Sequence, residues 1–114
     1  MIYANLAFLA LASTTPHTQT LQVPGVTLTN RGEMTYQCPG STPIKVTYAT
    51  GDNGQSFAMA VIDGKPVLMV DSMAGSGVRY VAGSMVWWTK GKHADLYDQR
   101  KDPDKPVRAD CTSD

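Results

Sequence analysis

Phe57-Ala-Met-Ala-Val-Ile62, Asp63-Gly64 and Lys65-Pro-Val-Leu-Met-Val70 form the stretch that decides the fold. Two short apolar runs flank an Asp-Gly pair, a strong local signal for a β-hairpin, because both central turn positions need a backbone that these residues tolerate. Outward from this hairpin the pattern keeps a period of two. Met34, Tyr36 and Cys38 alternate with Glu33, Thr35 and Gln37, and Ile44, Val46 and Tyr48 with Lys45 and Thr47. Near the C-terminus, Val107, Ala109 and Cys111 alternate with Arg108 and Asp110. Such one-sided burial belongs to antiparallel sheet.

Turn residues punctuate the rest. Pro39-Gly40-Ser41 and Gly51-Asp52-Asn53-Gly54 close the first two alternating runs. Gly75-Ser76-Gly77 opens a strand around Arg79-Tyr80-Val81, Gly83-Ser84 turns into Met85–Lys90, and Gly91-Lys92 turns into His93–Asp98. The polar loop from Gln99 to Pro106 precedes the last strand. Residues 13 to 32, rich in Thr, Pro, Gly and Asn, read as a linker holding one short strand at Thr20 to Val23. No window shows a helical period. About eight short antiparallel strands predict an all-β fold, a small eight-stranded barrel whose closure removes exposed edges. Its interior would be just wide enough for side chains to fill.

The chain's 114 residues allow one domain, burying about 65% of the surface its unfolded form would expose. Ten Lys+Arg balance ten Asp+Glu, which leaves no basic field for nucleic acid. With 42% hydrophobic residues and only 18% charged, the chain is not composed for disorder. Residues 2 to 12 form the longest apolar run, too short to span a bilayer as a helix. With Ala10-Leu11-Ala12 as a small-x-small cleavage site, residues 1–18 read as a signal peptide and linker, although no Lys or Arg precedes the run. The alternative is an N-terminal structured segment. The domain then occupies residues 19–114. No cysteine follows the apolar run, so a lipoprotein anchor has no thiol.

Cys38 and Cys111 are the only cysteines, and with His17 and His93 alone to help they lack zinc-ligand spacing. A disulfide between them fits export and would clip the last strand to the first, worth about 4 kcal/mol in the chain-entropy model. The alternative is two buried thiols in a cytosolic protein, which requires the export signal to be spurious; the disulfide is preferred. No metal or cofactor site is expected.

Enzyme signals are weak. Gly75-Ser76-Gly77 is not a nucleophile elbow, which needs a strand-to-helix turn. Ser76 with Lys90 would make a nucleophile and base only if the lysine were desolvated, and beside Gly91 at a hairpin tip it should be wet. Trp87 and Trp88 are adjacent, so one points into the sheet's core and the other out. Ser76 between two glycines offers a small hydroxyl at a narrow tip, and Lys90 can project from its hairpin.

Ser76-Gly-Val-Arg-Tyr80 and Trp87-Trp-Thr-Lys-Gly91, followed by Ala94-Asp-Leu-Tyr97 and Cys111, resemble the bacterial inhibitors of c-type lysozyme, the MliC/PliC family. Ser76, Gly77 and Tyr80 fill its first signature, S-G-x-x-Y; Thr89, Lys90 and Gly91 fill the second, Y-x-x-x-T-K-G, with Met85 where Tyr usually stands. The resemblance covers roughly Tyr36 to Cys111. It implies an eight-stranded barrel with a disulfide, no catalysis, and a c-type lysozyme as partner. It also implies that the Ser76 and Lys90 loops enter the enzyme's cleft and reach its catalytic carboxylates. Gly77, Arg79, Tyr80, Thr89 and Gly91 complete the expected lysozyme-binding set, Arg79 either bracing its loop or touching the enzyme. The family has lipid-anchored and soluble periplasmic forms, and this chain is expected to be the soluble periplasmic one, without a membrane anchor. An isologous homodimer through an exposed strand face is left open.

Two other readings compete. A small-ligand barrel of the lipocalin type would hold a cavity lined by side chains such as Phe57 and Met59. A Ser76/Lys90 hydrolase would be labelled at Ser76 by an acylating probe.

Overall fold

The computed structural model describes residues 19–114, so the proposed signal peptide lies outside the described residues. Period-two alternation resolves into eight strands: β1 (Leu28–Gln37), β2 (Ile44–Gly51), β3 (Ser56–Ile62), β4 (Lys65–Ser72), β5 (Val78–Ala82), β6 (Met85–Lys90), β7 (His93–Asp98) and β8 (Arg108–Ser113). Each pairs antiparallel with its neighbour in sequence, and β8 pairs back with β1 to close the barrel. The fold is therefore the all-β closed barrel expected from the alternation, with every strand partnered on both sides.

The Asp63-Gly64 turn forms as read, with both residues at positive φ (49° and 79°), the geometry that matches the twist of the flanking strands. Asp63 is held by the Thr42 hydroxyl and the Arg108 guanidinium, both donating to its carboxylate at 2.9 Å. The interior is filled by Tyr36, Ile44, Val46, Met69, Trp87 and Leu96, with Ala58 and Ala60 opposite the large rings. Small residues facing large ones are how a narrow barrel packs without voids. Trp87 is fully buried, which removes about 200 Å² from water and contributes on the order of 5 kcal/mol before entropy. Its indole N–H donates to the Tyr48 hydroxyl at 2.9 Å, and Tyr48 shares a 2.8 Å hydrogen bond with Tyr36. Burial, then this bond with Tyr36, pushes the Tyr48 hydroxyl pKa far above its ordinary value.

Cys38, just after β1, and Cys111 on β8 form the disulfide and clip the seam where the barrel closes. Buried Asp98, at the end of β7, anchors the following loop by accepting from the Arg100 backbone N–H at 3.1 Å and its guanidinium at 3.4 Å.

Three expectations are corrected. Thr20 to Val23 form no strand; they are exposed and unpaired, because the closed barrel already uses eight strands. The supposed linker instead contains the start of β1, where Leu28 to Gly32 pair with Tyr48 to Gly51. Phe57 and Met59 are not cavity residues. Ala58 and Ala60 occupy the inner face, and Met59 lies on the outer face opposite Leu68, 38% and 41% exposed. Finally, the alternation of β8 breaks. Arg108 faces Leu96 and Cys111 faces Ala94, so Ala109 and Asp110 together oppose Asp95 in a β-bulge, and Ala109 is exposed. Asp110 takes φ 55° there and donates its N–H to the Asp95 carboxylate at 2.8 Å.

Candidate functional site

Val78 pairs with Thr89, so the start of β5 and the end of β6 lie side by side. The loop that leads into β5, residues 73 to 77, therefore lies against the end of β6. The register brings Ser76 and Gly77 next to Thr89 and Lys90, residues that belong to different hairpins.

Gly77 sets how closely they approach. It takes φ 66°, where an L side chain is strained, and a Cβ there would overlap the Thr89 carbonyl oxygen and reach Lys90 Cγ at 2.8 Å. Only glycine lets the loop backbone rest on β6 at this distance. The Thr89 hydroxyl adds a tie by donating to the Val78 carbonyl at 3.4 Å.

Trp88 stands on the outer face of β6, opposite Arg79 on β5 and Asp95 on β7. Its indole N–H donates to the Ser76 carbonyl at 2.8 Å. Lys90 Nζ lies 4.4 Å from the ring centroid and Arg79 Cζ 5.3 Å, within reach of the attraction between a cation and an aromatic face. Tyr97 backs the indole at 6.5 Å. Burial, then the nearby Asp95 carboxylate, raises the Tyr97 hydroxyl pKa above its ordinary value.

Of the residues expected at the site, Ser76, Lys90 and Gly91 are exposed at this end of the barrel. Arg79 is half-buried beside Trp88; it has no ion-pair partner among the described residues, and its buried Nε has no hydrogen-bond partner. Lys90 also has no ion pair there. Tyr80 is different: it faces the interior, 7% exposed, with its ring 5.4 Å from that of Tyr48. It belongs to the buried core rather than to the exposed surface of the site. Burial, then the Asp71 carboxylate opposite, raises its hydroxyl pKa. Met85, in the position where the signature has Tyr, packs against the core at the far end of β6 from Lys90. Sequence reasoning did not assign Met73, 92% exposed in the Ser76 loop, or the bridging part played by Trp88. Trp88 was traceable from its spacing, since residues two apart on a strand share a face and Trp88 stands two before Lys90.

The arrangement presents a hydroxyl and, among the described residues, cations without ion-pair partners at one exposed end of the barrel. Its chemical complement is a partner carrying carboxyl groups in a recess, since charge-assisted hydrogen bonds to carboxylates are the strong ones. Among the described residues no three His, Cys, Asp or Glu side chains gather where a metal could sit. Depressions of about 200 and 190 Å³ are both open at the surface. One is lined by Arg79, Trp88 and Tyr97, the other by Tyr48, Thr50 and Tyr80. With its axis filled by side chains, the barrel does not favour a lipocalin-like ligand cavity.

Comparison with known proteins points the same way. A Cupriavidus necator protein named membrane-bound lysozyme inhibitor of C-type lysozyme is 37% identical over 90 residues, covering 78% of this chain and 71% of its own length. A Pseudomonas aeruginosa protein of the same name is 28% identical over 81 residues, covering 71% of this chain and 64% of its own length. The crystal structure of Pseudomonas aeruginosa MliC in complex with hen egg white lysozyme matches with a TM-score of 0.66 at 27% identity, over 85% of this chain and 96% of that one. PliC-St, the periplasmic lysozyme inhibitor of C-type lysozyme from Salmonella typhimurium, matches with a TM-score of 0.63 at 25% identity, over 75% and 99%. These relatives are inhibitor proteins, not enzymes, which removes the ground for a Ser76/Lys90 hydrolase. The model of one family matches residues 36–105, a span that holds both hairpins of the site, and the chain belongs to that family, described as membrane-bound lysozyme-inhibitor of c-type lysozyme.

Proposed function

We propose that this protein inhibits c-type lysozyme by placing the Ser76 loop and the Lys90 turn in the enzyme's active-site cleft. The observation that carries this reading is the adjacency of Ser76 and Lys90 at one end of a closed barrel, with Gly77 packed directly on Thr89 and Lys90. Lysozyme-type hydrolysis uses one protonated carboxyl as acid and one ionised carboxylate as nucleophile or stabiliser. The Ser76 hydroxyl can donate to or accept from the first, and the Lys90 ammonium pairs with the second. Desolvating Lys90 offsets part of the Coulombic gain, so the pair works best where the enzyme's carboxylate is already sequestered. Arg79, drawn against Trp88, braces the loop in this scheme, and Tyr80, Thr89 and Gly91 shape it from below.

We place this action in the periplasm, as the soluble form. The Cys38–Cys111 disulfide supports an oxidising compartment, and the Salmonella relative is named periplasmic, whereas the curated relatives carry the membrane-bound name. Titration calorimetry against hen lysozyme, with and without a chitooligosaccharide filling the cleft, tests the reading. Saturable stoichiometric binding that the oligosaccharide abolishes is expected. Binding that is indifferent to the oligosaccharide would place the contact outside the cleft.

A further inference from the structure

Among the described residues, Trp88 both hydrogen-bonds the Ser76 loop and faces the Lys90 ammonium. Its N–H donates to the Ser76 carbonyl at 2.8 Å, while its ring lies 4.4 Å from the Lys90 ammonium. Among the described residues, the Met73–Gly77 segment has no ladder partner and no backbone–backbone hydrogen bond, and the indole provides a polar tie from the barrel wall to the tip of that loop. Lys90 likewise has no ion pair there to select one rotamer of a flexible four-carbon side chain.

We infer that Trp88 is a positioning residue: it holds the Ser76 loop and the Lys90 ammonium in register with each other before a partner arrives. The inference rests on the inhibitory reading above. Its physical basis is the ordering cost of association, which falls when side chains and loops are already fixed in their bound arrangement. Among the described residues the aromatic face offered to Lys90 has no substitute. Tyr97 sits behind the indole, and Arg79 approaches the same ring as a cation with no acceptor to offer. A substitution at Trp88 should therefore act on binding through residues 76 and 90, with no requirement that the indole itself meet the enzyme.

Two variants separate the two contacts. Trp88→Phe keeps an aromatic face for Lys90 and removes the N–H donor; Trp88→Leu removes both. Lysozyme affinity should fall by about tenfold for Phe and about 30- to 100-fold for Leu. In a Lys90→Ala, Ser76→Ala background the Leu effect should shrink to about twofold, the non-additivity expected of a residue that acts through others. A merely structural role would not move two further readouts. The Lys90 ε-methylene protons of the free wild type should be shifted upfield by the indole ring current, a shift kept in part by Phe and lost in Leu. Amide exchange at Ser76 and Gly77 should quicken in both variants. Random-coil ε-methylene shifts in the wild type would overturn the inference, as would a Leu effect of equal size in the doubly substituted background. If the wild type does not bind lysozyme, the inhibitory reading falls. The ring-current and exchange measurements on the free protein would then still decide whether Trp88 holds the two loops.

Discussion

Replacing Gly77 with alanine should damage the protein far more than the same change at Gly75 or Gly91, and the structure ranks the three. Gly75 has ordinary backbone angles and nothing within 4 Å of a Cβ, so Gly75→Ala should be neutral or slightly stabilising through lower unfolded-state entropy. Gly91 also has open space but takes φ 59°, where an L residue costs about 1–2 kcal/mol. Set against the entropy gain, Gly91→Ala should cost about 1 kcal/mol. Gly77 carries the same backbone cost at φ 66°, and its new methyl would also overlap the Thr89 carbonyl. That carbonyl belongs to β6 where Thr89 pairs with Val78, so it cannot retreat without breaking the ladder. Overpacking of this kind costs a further 1–3 kcal/mol or so, giving a total of about 2–4 kcal/mol. The loop can escape part of this only by lifting off β6, which breaks the Trp88–Ser76 hydrogen bond and separates the hydroxyl from the ammonium. Urea denaturation of the three variants, with lysozyme inhibition assayed alongside, reads both consequences. Gly77→Ala should lose stability, inhibition or both, while Gly75→Ala keeps both. Wild-type stability and inhibition in Gly77→Ala would refute the reasoning about close approach.

Further predictions concern the frame. Tyr48→Phe leaves the buried Trp87 N–H without its acceptor and the Tyr36 hydroxyl without its main partner, and should cost about 2–3 kcal/mol in denaturant titration. Replacing Cys38 and Cys111 with serine should lower stability by about 4 kcal/mol and make thermal unfolding insensitive to reductant. The hydrogen bond from Arg100 holds the Asp98 carboxyl below its ordinary pKa. A depressed carboxylate pKa contributes stability above the unfolded value of about 3.9 and loses it as pH falls through the folded one. Urea midpoints from pH 6 down to 2.5 should therefore drop in the acid range for the wild type and less so for Arg100→Ala.

How far the sequence carried depended on whether the determining contact was local. The Asp63-Gly64 turn was legible because the two turn residues impose the geometry themselves. The start of β1 was not, because Leu28 to Gly32 are exposed and show no alternation; their partner strand, not their pattern, makes them extended. In Phe57–Ile62 both faces are apolar, so the strand was readable from its flanking turn but which residues face inward was not. The small Ala58 and Ala60 turn inward and share the buried core with the large rings of Trp87 and Tyr36. The bulge at Ala109 and Asp110 depends on the Asp95 carboxylate across the ladder, which no local pattern announces. At the site, Ser76 and Lys90 could be read from their paired signatures. The hydrogen bond from Trp88 to the Ser76 carbonyl could not, since it exists only once β5 pairs with β6 and the loop before β5 lies against the outer face of β6, where Trp88 stands opposite Arg79.

Clearing of a peptidoglycan suspension by a c-type lysozyme, titrated with wild type, Ser76→Ala and Lys90→Ala of verified fold, tests the central claim most directly. The account predicts stoichiometric inhibition by wild type, weakened by about 2–4 kcal/mol for Lys90→Ala and by about 1–2 kcal/mol for Ser76→Ala. Full lysozyme activity in the presence of a large excess of folded wild type would contradict it. Inhibition that neither substitution weakens would contradict the assignment of these two loops to the cleft.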